Sequence, residues 1–218
     1  MEVLQAIQKR QSVRKFKAQD IPDEDIRKLI EAAGLAPSGK NCQNWHFVVI
    51  KNRQLMQKIA DTILEKNEKI ALKLEKVDEE KASRFRKFAK NFTVFYLNAP
   101  VLILTYAKDY VPSGYDEYHL IQAPKQLGDN LFQKNPGMQG IGAALENLTL
   151  RAIDLGYGVC WLTSQNYAAD EIEALVKEET ALEKENYYLT TMLALGVPES
   201  DLKSPRKKDA EDIYTLIK

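Results

Sequence analysis

The 218-residue sequence predicts a single domain of the α+β or α/β class, with helices covering a central sheet. Three observations carry this. Four short runs rich in branched aliphatic and aromatic residues read as strands: Trp45 to Ile50, Val101 to Ala107, Val159 to Thr163 and Leu189 to Leu195. Segments with helical spacing are interleaved with them. The balance of 44% apolar against 28% charged residues is that of a globular chain with a substantial core.

Taken in order, Val3, Leu4 and Ile7 have helical spacing, so a first helix is expected over residues 2–10, followed by a polar extended stretch from Gln11 to Asp20. Pro22 opens a second helix, whose first turn of Asp23, Glu24 and Asp25 complements the positive end of the helix dipole. Ile26, Leu29, Ile30 and Ala33 form its buried stripe, and Gly34 and Pro37 stop it. The run from Ala36 to Asn44 is dense in turn-forming and hydrogen-bonding residues and leads straight into the first strand.

Residues 53–97 read as a long helical region crowded with Lys and Glu. Within it Ile63, Ile70 and Val77 recur every seven residues, which hints at a partner helix, although a solvated amphipathic helix explains the same pattern. Residues 108–135 read as an irregular excursion, with Tyr110, Tyr115, Tyr118, Pro112, Gly114, Pro124 and Gly128. A loop of that length inside a compact domain is often a lid or binding element. Residues 138–155 form the most apolar helix: Ile141, Leu145, Leu148 and Ile153 fill one side, and Gly140, Gly142, Ala143 and Ala144 permit close approach of a neighbour. Gly156 and Gly158 stop it, and Gly196-Val197-Pro198 ends the last strand.

Charge and composition exclude several functions. Thirty-one Lys plus Arg cancel thirty-one Asp plus Glu, which removes the basic field of a dedicated nucleic-acid binder. Cys42 and Cys160 are too few for a disulfide framework or a Cys-rich zinc site and are expected to be reduced thiols in a cytosolic protein. His46 and His119 stand 73 residues apart with no metal-ligand spacing, so no metal is expected. The amino terminus carries Glu2 and no long apolar run, so it is not expected to be a signal peptide. The stretch from Ala99 to Ala107 falls well short of the ~20 residues that span a bilayer. A cytoplasmic protein with no nucleic-acid and no membrane partner is expected.

Candidate chemistry is confined to a few segments. Gly140-Ile-Gly142-Ala-Ala-Leu145 lacks the third glycine and the preceding strand of a dinucleotide fingerprint, so packing explains it better. No Ser-His-Asp or Cys-His arrangement can be read from the residue order. Between Lys9 and Phe16, however, Arg10, Ser12 and Arg14 alternate along an element leaving a helix, so their polar ends could converge on one anion. A phosphate rewards this, because hydrogen bonds to charged groups contribute about 1.5–3 kcal/mol each. An ordinary surface basic patch is the alternative, and the same holds for Ser204-Pro-Arg206-Lys-Lys208.

Taken together, Arg10-Gln-Ser12-Val-Arg14 and Ala36-Pro-Ser-Gly-Lys-Asn41-Cys-Gln43-Asn-Trp45-His-Phe47 resemble the nitroreductase family of FMN-dependent oxidoreductases. Later segments match in order: Ile141-Gly-Ala-Ala-Leu-Glu-Asn147, Leu155-Gly-Tyr-Gly-Val-Cys-Trp161, Ala194-Leu-Gly196-Val-Pro198 and finally Arg206. Two places depart from the family pattern. Asn44 replaces a proline common after the glutamine, and Lys207 and Lys208 stand where apolar residues are common.

The resemblance implies an α+β fold, a mostly antiparallel central sheet covered by helices, in a homodimer with two FMN molecules at its interface. Arg10 and Arg206 would hold the flavin phosphate, with Ser12 beside it and Gln11 in the same stretch. Arg14 would lie near the ribityl chain and the N1/C2=O edge, where a cation stabilises the negative charge gained on reduction. Pro37, Ser38, Gly39 and Asn41 resemble the loop that covers the isoalloxazine from the other subunit. Asn91 would lie near the pyrimidine edge, and the backbone N–H groups of Thr163 and Ser164 would face flavin N5.

The activity implied is ping-pong reduction of nitroaromatics, quinones or similar electron-poor acceptors by NADH or NADPH. The flavin carries the chemistry, and the protein contributes no nucleophile or general base. A reductive dehalogenase or flavin-destructase relative on the same scaffold, a flavin-binding or storage protein without turnover, and a helical interaction protein built on residues 60–97 are the competing readings.

Overall fold

The computed structural model describes residues 1–200 and 206–218. Strands β1 (Trp45–Ile50), β2 (Val101–Lys108), β3 (Gly158–Leu162) and β4 (Tyr187–Gly196) form one sheet in the order β1-β2-β4-β3, every neighbouring pair antiparallel. The helices are α1 (Val3–Lys9), α2 (Asp23–Gly34), α3 (Arg53–Glu75), α4 (Glu79–Phe92), α5 (Tyr115–Leu120), α6 (Lys125–Gln133), α7 (Pro136–Asp154) and α8 (Ala169–Thr180). The fold is α+β, as the sequence predicts.

The period-2 alternation of the strands sends their side chains into two cores. Ile50, Leu102, Leu104, Tyr106, Leu162, Met192 and Ala194 pack with Leu55, Met56, Ile59 and Ile63 of α3 and with Ile172 and Val176 of α8. Val101, Ile103, Ala107, Val159, Leu193 and Leu195 face Ile26 and Leu29 of α2 and Ile141, Leu145 and Leu148 of α7. β2 and β4, covered on both faces, therefore read as nearly continuous apolar runs.

Several elements differ from the sequence reading. The 53–97 region is not one helix but a hairpin of α3 and α4, broken where Asp78 caps α4 by accepting from the Lys81 N–H at 2.8 Å. The partner of α3 is thus α4: Asn67 donates to the Phe85 carbonyl, and Arg86 pairs with Glu68 and Glu75. Val77, the last member of the sevenfold recurrence, lies in the turn and is exposed.

The 108–135 excursion is not irregular. It holds α5 and α6, closed by Tyr115 set edge-on against Phe132 at 5.0 Å and over the bare Gly128. β3 ends at Leu162, leaving Thr163 just past the strand, because the buried Gln165 turns back to donate to the Leu162 carbonyl at 2.9 Å. Helix α8 has no counterpart in the sequence reading. In α1 the apolar stripe is turned outward: Val3, Leu4 and Ile7 are exposed, and Ala6 alone is buried. Among the described residues, no helix is long and apolar enough to cross a membrane.

Candidate functional site

The basic segment is held on the sheet by its apolar residues. Val13 and Phe16, both buried, plug into the sites left by Gly158 and Gly196. A Cβ at Gly158 would lie 2.6 Å from Val13 Cγ2, and one at Gly196 would lie 2.7 Å from Phe16 Cδ1. Backbone bonds complete the attachment: Val13 N–H donates to Val159 at 3.0 Å and Lys17 N–H to Val197 at 2.9 Å. Ser12 thereby pairs in parallel with Val159, extending the sheet beyond β3.

The extended backbone then sorts the polar side chains. Val13 points inward, while Ser12 and Arg14 are both exposed. Arg14 sets its guanidinium carbon 5.9 Å from the centre of the Phe95 ring. Burial pushes the Cys160 thiol above its ordinary range, opposed by the Arg14 charge and by a hydrogen bond with Ser12. These three side chains share one corner. Gln11 faces elsewhere, into a groove of about 640 Å³ lined also by Val13, Tyr157, Gly158 and Pro198. Arg10 caps the end of α1, and its Nε lies 3.9 Å from Glu146 on α7. Glu146 belongs to the matched Ile141–Asn147 segment, but nothing in its position along the chain announces Arg10 as its partner.

The turn from Ala36 to Asn44 is built by its own polar groups. Ser38 Oγ accepts from the Gln43 N–H at 2.9 Å, and Asn41 Oδ1 accepts from Gln43 Nε2 at 3.1 Å. Lys40, Asn41 and Gln43 adopt left-handed backbone angles, φ 54°, 50° and 43°. Pro37 and Ser38 lie on α7 at Gly140, whose added Cβ would sit 3.3 Å from Ser38 Cβ. Close packing is what that glycine provides, as expected from the failed dinucleotide match. Gly39 lies against Tyr110, where a Cβ would fall 2.7 Å from the tyrosine oxygen. Tyr110 belongs to the 108–135 excursion, and no local pattern links it to Gly39.

The remaining candidates are dispersed. Asn91 is exposed near the end of α4, and Thr163 and Ser164 are exposed just past β3. Gln165 follows them, wholly buried, with no donor to its Oε1. Arg206 pairs with Asp209 at 2.6 Å, while Ser204 and Pro205 of the same basic cluster lie outside the described residues. Among the described residues, no hydrogen bond or ion pair joins Arg206, or residues 37–41, to Arg10, Ser12 or Arg14.

Chemically, this is a donor-rich set: guanidinium groups, hydroxyls, amides and turn N–H groups. It suits a ligand that is anionic at one end and presents hydrogen-bond acceptors along a flat body, as FMN does. Among the described residues, no group of three or more His, Cys, Asp or Glu could hold a metal. His46 packs edge-on against Tyr187 at 6.2 Å, and burial, then Lys184, holds its pKa below the ordinary value, as befits a structural histidine.

Comparison with known proteins is consistent along the chain. A BluB-like flavoprotein from Clostridium difficile is 65% identical, with a TM-score of 0.98 and 100% of both chains covered. A nitroreductase with bound FMN from Bacteroides fragilis shares the fold at 23% identity and a TM-score of 0.67, also covering 100% of both chains. Iodotyrosine deiodinase of Danio rerio is 28% identical over 213 residues, 95% of this chain, which spans 64% of that relative's length. Residues 7–197 match the model of the Nitroreductase family, and the chain belongs to that family.

Proposed function

We propose that the chain is an FMN-dependent NAD(P)H oxidoreductase that reduces nitroaromatics, quinones or similar electron-poor compounds by a ping-pong route. The observation that carries this reading is the docking of Ser12 and Val13 beside Val159 and of Phe16 and Lys17 on Pro198 and Val197, which leaves Ser12 and Arg14 exposed near Cys160. Likeness to a flavoprotein over the full chain supports it.

In this reading Arg10, Ser12 and Arg206 hold the phosphate, with Gln11 in the supporting backbone. Arg14 offers its charge to the N1/C2=O edge. Pro37, Ser38, Gly39 and Asn41 of a second subunit would cover the ring, Asn91 would meet the pyrimidine edge, and the Thr163 and Ser164 N–H groups would face N5. When bound, FMN supplies the two-electron chemistry between the reduced nicotinamide and the acceptor.

The protein binds, orients and excludes water. Nicotinamide and acceptor would share one stacking face of the bound flavin, which is what a ping-pong route requires. Residues 1–218 act as a single domain, in which α5 and α6 form an acceptor-side lid. Homodimerisation is supported by the outward apolar stripe of α1 and by the exposed Ile213, Tyr214, Leu216 and Ile217 near the carboxyl terminus.

The test is an anaerobic absorption spectrum of the purified protein before and after each reduced nicotinamide. A yellow protein that NADH or NADPH bleaches rapidly is expected. A yellow protein that neither bleaches points to flavin storage, and one that stays colourless with excess FMN overturns the reading. A second reading, reductive dehalogenation, is favoured by likeness to the zebrafish deiodinase and predicts halide release from a halogenated phenol by the reduced protein.

A further inference from the structure

We propose that Asn44 is a positioning residue that clamps both ends of the 109–135 lid, and that this clamp sets how tightly the acceptor is held. The second half of the proposal rests on the lid reading above; the first half does not. Asn44 precedes β1 and is buried. Its backbone carbonyl accepts from the Lys108 N–H at 2.8 Å. Its side-chain Nδ2 donates to the Lys108 carbonyl at 3.1 Å and to the Gly137 carbonyl at 3.5 Å. The chain enters the lid at Lys108 and returns from it at Gly137, so one amide grips the segment where it leaves and where it comes back.

The orientation of that amide follows from its partners. Two carbonyls face it, and only the NH2 end can satisfy both. Oδ1 is left buried without a donor, a cost the fold bears in order to hold the two carbonyls. Both ends border a cavity of about 70 Å³ lined by Asn44, Lys108, Tyr110, Phe132 and Gly137. Gly137 is bare for a reason: a Cβ there would lie 2.8 Å from Tyr110 Cβ and 3.4 Å from Asn44 Nδ2. A proline, the residue common at position 44 in the resembling family, carries no donor and could not make this grip.

Between its ends the lid is weakly held. Leu120, Ile121, Leu127 and Phe132 are exposed, and Gly128 is the one buried residue of α6. A segment with few buried contacts opens locally at low cost, so restraint at its two ends governs its pose. The lower hinge also touches the 37–41 turn, because Tyr110 is seated between Gly39 and Gly137.

The test compares the FMN-loaded wild type with N44A and N44D, using hydrogen exchange across 109–135 and steady-state reduction of 1,4-benzoquinone. N44A removes both donors, and N44D sets a carboxylate against two carbonyls. The expected result is roughly five- to tenfold faster exchange within the lid and a KM raised by a similar factor, with kcat and FMN retention within about twofold. Unchanged lid exchange in a variant that retains its fold overturns the clamp. Faster exchange with an unchanged KM overturns the link to the acceptor. If the protein neither binds flavin nor reduces quinone, exchange still reads the clamp alone. Should neither variant fold, N44S, which keeps a short hydroxyl donor at this position but cannot span both carbonyls, is read in the same way: lid exchange unchanged from the wild type refutes the clamp.

Discussion

Ser12 lies beside Val159 in a parallel pairing, and the next residue's N–H donates to the Val159 carbonyl at 3.0 Å. This rung carries the amino-terminal arginines to the edge of the sheet and turns Arg14 outward. Arg14→Ala should weaken FMN retention about tenfold or more, the value of one hydrogen bond to a charged group, and should lower the flavin reduction potential. Flavin fluorescence on dilution and redox titration against a reference dye check both. A variant unchanged in both respects removes Arg14 from the site.

Gly158 makes that rung possible, since any Cβ there meets Val13 at 2.6 Å and Pro198 at 2.9 Å. Gly158→Ala should destabilise the fold by about 1–3 kcal/mol, the usual cost of overpacking, and should also reduce flavin content because residues 12–14 are displaced. Denaturant unfolding gives the first quantity and the absorbance ratio of the purified protein the second. Gly142→Ala is the control, because nothing lies within 4 Å of its added Cβ.

Helices α5 and α6 contact one another more than they contact either core. Replacing residues 111–134 by a short Gly-Ser linker should change the ratio of kcat/KM between a quinone and a nitroaromatic while leaving FMN content near that of the wild type. Loss of FMN with unaltered acceptor preference would refute the lid assignment.

The two thiols differ in environment. Cys42 is exposed, whereas Cys160 is buried and its thiol is pushed up by that burial. A disulfide-exchange reagent at pH 8 should titrate one thiol per native chain and two in denaturant. Two rapid equivalents in the native protein would contradict the burial of Cys160.

Tyr157 donates to Asp25 at 2.7 Å, tying the segment after α7 to α2. This bond, then Lys28, holds the Asp25 carboxyl below its ordinary value of 3.8. Burial, then Asp25, pushes the Tyr157 hydroxyl from 10.0 to about 12. Asp25, depressed on folding, stabilises above its ordinary value and loses that contribution as pH falls through the folded one. Tyr157, raised on folding, stabilises below 10.0 and loses its contribution as pH rises toward about 12. The difference in Tm between wild type and Tyr157→Phe should therefore be largest near neutral pH and shrink at both extremes. A difference that is flat with pH refutes the linkage.

Some of the fold was legible because its signals are local. The strands announce themselves as branched and aromatic runs, three of them bounded at one end by Gly or Pro, and α2 by Pro22 and its acidic first turn. The break at Asp78 carried a readable signal too, an Asp followed by two Glu at a helix start, but the Lys- and Glu-rich surroundings blurred it. Helices α5, α6 and α8 carry weaker local signals. α5 and α6 are short and turn most of their apolar residues to the surface, and α8 buries only Ile172 and Val176 of its own length, so periodicity had little to report.

The sequence by itself determined the fold class, the strand set and the chemical character of the site: arginines, hydroxyls and amides in the order of the nitroreductase family. Tertiary structure alone decided which of them meet. Ser12 and Val159, Arg10 and Glu146, Gly39 and Tyr110, and Asn44 and Gly137 are each pairs far apart along the chain. Their juxtaposition follows from how two apolar cores close over one twisted sheet, which no local pattern encodes.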